Sequence, residues 1–119
     1  MAKRILLVED SNDARTMERV MLEHYGYEVD EAHDGLEAVE KATINKPDLI
    51  LMDIAMPHMD GFQATQFLKS FSSTAEIPVI VITAYRNFDE KALEAGCNEI
   101  LYKPLDFKEL KQAIEKYIA

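Results

Sequence analysis

Three carboxylates stand at the ends of short apolar runs. Glu9 and Asp10 follow Ile5-Leu6-Leu7-Val8, and Asp53 follows Leu49-Ile50-Leu51-Met52. A hydroxyl and an ammonium are placed in the same manner, Thr83 after Val79-Ile80-Val81-Ile82 and Lys103 after Ile100-Leu101-Tyr102. Runs of that length read as buried strands, so each polar group lies where a strand meets solvent. Acids gathered at one point repel one another unless a cation or a proton compensates them. Clustered oxygen ligands select a hard cation such as Mg2+, with Mn2+ as an acceptable substitute; such an ion takes one or two carboxylates plus phosphate oxygens. The cation would screen an anionic nucleophile from an anionic phosphoryl group, while Lys103 and Thr83 hold the remaining phosphoryl oxygens. The set suits phosphoryl transfer to a carboxylate, with one of the acids as nucleophile.

The elements that must position these groups alternate along the chain. Strands are expected at Ile5–Val8, Tyr27–Ala32, Leu49–Met52, Val79–Ile82 and Glu99–Tyr102. Between them lie segments with helical spacing. Ala14, Met17, Met21 and Tyr25 share one face of a first helix that Ser11 or Asp13 can cap, with the two methionines expected in the core. Leu36, Val39 and Ala42-Thr43 mark a second helix, opened by Asp34-Gly35 and closed before Pro47. A third follows Asp60-Gly61 with Phe62, Thr65, Phe67 and Leu68, and a short fourth runs from Asp89 to Ala95 with Gly96 as its C-cap. The last carries the stripe Phe107, Leu110, Ile114, Tyr117 and Ile118 behind a cap at Asp106. Strict alternation implies a parallel sheet with right-handed crossovers and helices on both faces. For five strands the expected order is 2-1-3-4-5, a flavodoxin-like α/β arrangement, which makes strands 1 and 3 neighbours. Glu9, Asp10 and Asp53 then meet at the switch point where such sheets bind ligands.

Composition narrows the remaining choices. With 119 residues, 48% hydrophobic and 29% charged, the chain suits one compact domain over residues 1–119. A net charge of −9 argues against a nucleic-acid partner. No apolar stretch approaches a membrane span, and Met1-Ala2-Lys3-Arg4 leads straight into the first strand, so neither a membrane nor a signal peptide is expected. Cys97 is the single cysteine, which excludes an internal disulfide and fits a reducing, cytoplasmic setting. The glycines are scattered, so no phosphate-binding loop or dinucleotide fingerprint is present. His24, His33, His58 and Cys97 lack zinc-ligand spacing, and no G-x-S-x-G elbow occurs.

The stretches Ile5-Leu6-Leu7-Val8-Glu9-Asp10, Asp53-Ile54-Ala55-Met56-Pro57-His58-Met59-Asp60-Gly61, Val81-Ile82-Thr83-Ala84, Ala95-Gly96-Cys97 and Lys103-Pro104 are jointly specific. In this order the chain resembles, over essentially its whole length, the receiver domain of two-component response regulators. The resemblance implies that Asp53 is the phosphoacceptor and that Asp10, Asp53 and the backbone carbonyl of Ala55 bind the metal. Glu9 would act mainly through metal-bound water. Thr83 matches the switch hydroxyl, Lys103 the lysine that contacts the phosphoryl group, and Lys103–Pro104 a bond that is cis in the family. The implied donor is a sensor histidine kinase or histidine phosphotransfer protein. The implied output is a downstream protein target that meets the fourth helix, fifth strand and fifth helix. Such a domain is a self-catalysed switch rather than a metabolic enzyme, a monomer whose dimerisation on phosphorylation is left open.

Two features depart from the family pattern. An aromatic commonly stands three residues before the lysine, where this chain has Ile100; its aromatic is Tyr102, next to Lys103. Residues 100 and 102 share a strand face, so Tyr102 is placed to substitute from a different depth. The segment from Thr83 to Lys103 is also about two residues short, a difference that the fourth helix or its entry loop must absorb. These departures motivate an alternative, a receiver-shaped scaffold whose output ignores phosphorylation. A phosphohydrolase of the haloacid-dehalogenase type would need a second acid where Ala55 stands.

Overall fold

The computed structural model describes residues 2–54 and 60–118. The chain runs β1 (Arg4–Val8), α1 (Asn12–His24), β2 (Glu28–Ala32), α2 (Gly35–Asn45), β3 (Leu49–Asp53), α3 (Gly61–Ser70), β4 (Val79–Thr83), a 3-10 turn (Arg86–Phe88), α4 (Asp89–Ala95), β5 (Glu99–Tyr102) and α5 (Phe107–Ile118). All four neighbouring strand pairs are parallel, in the order β2-β1-β3-β4-β5. This is the flavodoxin-like arrangement expected from the alternation of elements. Asp53 and Thr83 belong to their strands as the last residues rather than following them.

The strands carry apolar side chains on both faces because both faces are covered. Leu6, Val8, Ile50, Met52, Val79 and Val81 pack on the side of α2, α3 and α4. Ile5, Leu7, Leu49, Leu51, Ile80 and Ile82 pack on the other side, against Leu22 of α1 and Leu110, Ala113 and Ile114 of α5. Each fully buried leucine or isoleucine contributes roughly 1.5–3 kcal/mol, so this double layer holds the strand ends, and the polar groups on them, in fixed register.

Helix starts follow local side-chain chemistry. Ser11 Oγ accepts from Ala14 N at 3.3 Å, so Ser11 rather than Asp13 caps α1. Asp34 caps α2 by accepting from Glu37 N, and Asp60 with Gln63 forms a reciprocal capping box at α3. Asp106 accepts from the backbone N–H groups of Lys108 and Glu109. Gly96 ends α4 at φ 102°, the left-handed conformation that glycine adopts without strain.

The inner face of α1 differs from expectation. Met17 is 54% exposed, whereas Glu18 and Leu22 are buried. Positions 17 and 18 lie three and four residues after Ala14, so both satisfy a helical period; Leu22, fully enclosed, selects the phase that turns Glu18 inward. Burial pushes the Glu18 carboxyl up to about 7, with the charge of Lys103 opposing and that of Asp53 adding. The unfolded chain ionises this group near 4.5, so the folded state binds the extra proton between those values, and stability falls as pH rises through that window. Glu18→Gln removes the charge and keeps the shape. Its expected gain in unfolding free energy is on the order of 3 kcal/mol at pH 8 and about 1 kcal/mol at pH 5.5. Urea denaturation at the two pH values checks this; equal effects at both would contradict it.

Candidate metal and phosphoryl site

Register alone brings the acids together. Val8 pairs with Met52, so the residues that follow, Glu9 and Asp53, emerge side by side at the same edge of the sheet. On the next strands Ile82 pairs with Asp53 and Thr83 with Tyr102, which places Thr83 and Lys103 at that edge as well. Carboxylate oxygens of Glu9, Asp10 and Asp53 lie within 4.8 Å of one another. Glu9 and Asp53 are buried and Asp10 is exposed. Lys103 Nζ stands 3.2 Å from Asp53 Oδ2 and 3.3 Å from Glu9 Oε1. Glu9 Oε2 also accepts from the Ser11 backbone N–H at 3.3 Å. The groups line an open cleft of about 400 Å3. Ala55, expected to offer its carbonyl to the metal, lies outside the described residues.

The electrostatics follow from this crowding. Burial raises the Glu9 carboxyl, and its hydrogen bond to Asp53 and the charge of Asp53 raise it further, to about 8 against a partial pull from Lys103 and the Ser11 N–H. Without a cation, this crowding thus favours the protonated form of Glu9. Burial works against the charge on Lys103, yet Asp53 and Glu9 outweigh it and hold the ammonium above its ordinary value. An acid trio with two buried members and one open to water suits a hard divalent cation that keeps part of its hydration.

Gly61 makes a contribution that its role as a helix opener did not reveal. A Cβ there would sit 2.5 Å from the Asp53 carbonyl oxygen and 2.5 Å from Ile54 Cα. Its N–H donates to the Ile54 carbonyl at 3.1 Å. The close approach of α3 to the end of β3 therefore requires glycine at this position. The adjoining Asp60-Gly61 pair was the visible signal.

Thr83 is buried, and its hydroxyl closes a small turn: Oγ1 accepts from Tyr85 N at 3.0 Å and donates to Tyr85 O at 3.3 Å. Tyr102, its register partner, donates from its hydroxyl to Asp89 Oδ2 at the first residue of α4. The Arg86 guanidinium lies 4.0 Å from the centre of the Tyr102 ring. Ile100 pairs with Val81 and packs against the core. The aromatic of this edge is therefore Tyr102, tied to the 3-10 turn and to α4. Arg86 and Asp89 carried no marker in the sequence beyond their nearness to a helix start.

Residues 5–115 match the family described as the response regulator receiver domain. The chain is 34% identical over 120 residues to the polar-differentiation response regulator DivK of Brucella anthropi, covering 99% of this chain and 98% of the relative. Among solved structures, the receiver domain of the sensor histidine kinase PA1611 from Pseudomonas aeruginosa superposes with a TM-score of 0.93 at 35% identity, covering 99% of this chain and 98% of that one. That structure has a magnesium ion coordinated in its active site cleft. The chemotaxis response regulator CheY4 of Vibrio cholerae superposes with a TM-score of 0.92 at 28% identity, covering 98% of this chain and 99% of that one.

The proton held on Glu9 gives the cation a measurable signature. Binding of Mg2+ at pH 7 should release close to one proton, and affinity should rise about tenfold per pH unit below pH 8 and then level off. Calorimetric titration in buffers of different ionisation enthalpy reads the release directly. Affinity that stays constant from pH 6 to 8 would refute the assignment of the proton.

Proposed function

Because the chain belongs to the response regulator receiver domain family, we propose that it is a two-component signalling switch that accepts a phosphoryl group on Asp53. The donor is a phosphohistidine on a sensor histidine kinase or a phosphotransfer protein. The observation that carries this reading is the position of Asp53, buried between the acid pair and Lys103 at 3.2 Å. Glu9 is buried as well, but it follows its strand, whereas Asp53 is itself the last residue of β3 and stands at the lysine.

The proposed step is a nucleophilic attack by an Asp53 oxygen on phosphorus. The P–O bond to the carboxylate forms, the P–N bond breaks, and its electron pair leaves with the donor imidazole. Asp10 and Asp53 would hold Mg2+ together with the Ala55 carbonyl, and Glu9 would hold it through water. When bound, the ion supplies the charge screening that lets two anions meet. Lys103 exchanges its contact with the Asp53 carboxylate for one with a phosphoryl oxygen, and Thr83 donates its hydroxyl to another. In-line attack by water on the acyl phosphate releases inorganic phosphate and restores Asp53.

Output in this reading passes through the Thr83 turn. A hydroxyl that rotates toward the phosphoryl group gives up its contacts with Tyr85 N and O, and so frees the strand end that leads to Arg86 and Asp89. The downstream protein then meets α4, β5 and α5. The reading covers residues 1–119 as a receiver domain in the cytoplasm, monomeric at rest and open to dimerisation when phosphorylated. A second reading, a receiver-shaped scaffold indifferent to phosphorylation, draws on the engagement of Tyr102 by Asp89 and Arg86, which would hold the output face in one state.

Incubation with acetyl phosphate and Mg2+ should add one phosphoryl group by intact-mass measurement. Asp53→Asn should abolish it, and Lys103→Ala should slow it by at least tenfold. Labelling that survives Asp53→Asn would overturn the proposal. With beryllofluoride and Mg2+, amide shifts should reach Tyr85, Asp89 and Tyr102; shifts confined to Glu9, Asp10 and Asp53 would favour the scaffold.

A further inference from the structure

The side chain of Arg15, only 15% exposed, reaches from α1 in three directions. Nη1 donates to the backbone carbonyl of Glu9 at 2.8 Å, Nε to Glu31 Oε1 on β2 at 2.9 Å, and Nη2 to Asn12 Oδ1 at 2.6 Å. Glu31 is held in turn by Arg19 Nη1 at 2.5 Å on its other oxygen. The guanidinium is thus anchored to the edge strand and the helix start, and its remaining arm grips one peptide.

That peptide joins Glu9 to Asp10. Its plane sets the direction in which the Cα–Cβ bond of Asp10 leaves the chain. Glu9 has other restraints, since its carboxylate accepts from Lys103 and from the Ser11 N–H. Among the described residues, no hydrogen bond holds the exposed Asp10 carboxylate. Its aim toward Asp53 therefore depends on the backbone beneath it. Arginine suits this task because its donors lie in one rigid plane, whereas a lysine ammonium reaches a single point.

We propose that Arg15 is a positioning residue of the metal site, which orients the Glu9–Asp10 peptide through the Glu9 carbonyl and takes its own alignment from Glu31. This rests on the reading that the acid cluster binds Mg2+. Partners one step removed from a metal change its affinity by about 10–100-fold when lost. The same range is expected here.

The experiment measures Mg2+ affinity by calorimetry and the metal-free thermal midpoint, for the intact chain and three variants. Arg15→Lys keeps the charge and loses the fork, so affinity should fall at least about tenfold while the midpoint changes little. Glu31→Gln, which leaves Arg15 in place but loosens it, should give a smaller loss of affinity. It also serves as the deciding variant if Arg15→Lys does not fold. Arg19→Gln removes the other partner of Glu31 without touching the Glu9 carbonyl and should leave affinity within about twofold. Unchanged affinity in Arg15→Lys, or in Glu31→Gln where that variant decides, overturns the proposal. So does an equal loss in Arg19→Gln, which would mark a general charge effect. Failure of the unaltered chain to bind Mg2+ would instead overturn the metal-site reading, and the positioning role with it.

Discussion

Glu9 and Asp53 are buried side by side, and the rest of this sheet edge answers the cost of that arrangement. Two like charges removed from water cannot both stay ionised without help. Lys103 supplies part of it from 3.2 and 3.3 Å, and what remains pushes the Glu9 carboxyl toward its protonated form unless a cation takes the proton's place. The compensation is local to the charges, yet the charges are placed by something larger. The adjacency of β1 and β3 follows from the order of the sheet, and the depth at which the acids emerge follows from the register Val8 with Met52. Register in turn is held by alternate apolar residues locked on both faces; a slip by one residue would exchange every inward side chain for its neighbour. The core therefore specifies the repulsion, and the repulsion specifies the need for a cation.

The same dependence explains which parts of the molecule could be read from the sequence. Strands with both faces buried leave uninterrupted apolar runs, so Ile5–Val8, Leu49–Met52 and Val79–Ile82 stood out, and with them the acids at their ends. Helix starts were legible wherever a short polar side chain caps them, as at Asp34, Asp60 and Asp106. The phase of α1 was not legible, because Met17 is the more apolar residue and Glu18 sits one position away at an equally acceptable period. Hydrophobicity favoured the wrong one; the enclosed Leu22 decides the other way. Contacts made by long side chains across distant segments left no pattern at all. Arg15 meets Glu31 across sixteen positions and Tyr102 meets Asp89 across thirteen, and neither spacing follows any helical or strand period. Gly61 lay between these cases, visible as a helix opener but not as the residue that lets α3 approach Asp53.

The helices beside the site are not equally secured. α5 has twelve residues, and its buried Leu110, Ala113 and Ile114 face the sheet. α4 has seven residues, a single buried side chain in Ala92, and no side chain capping its start at Phe88. Helices that short do not persist on their own propensity and need tertiary contacts. For α4 those contacts include the edge-on packing of Phe88 on Phe62 and the Tyr102–Asp89 hydrogen bond. Among the described residues, one oxygen of Asp89 is buried without a hydrogen-bond partner, so that hydrogen bond carries a group whose burial is only half compensated.

This imbalance bears on how a chemical change at Asp53 would be felt elsewhere. A new group at one site shifts an equilibrium only by the difference in its contacts with the two states. A well-packed element such as α5 offers little such difference, because any displacement forfeits its core contacts. α4 is joined to the site through Thr83, Tyr85 and the 3-10 turn, and on its far side through Tyr102, whose backbone leads directly to Lys103. Both connections begin at residues that contact or border Asp53. A weakly secured element with two such connections is where small changes in the positions of Thr83 and Lys103 become large changes in population. In a chain with Ile100 half-buried against the core, the side chain that stands between those two residues and α4 is Tyr102.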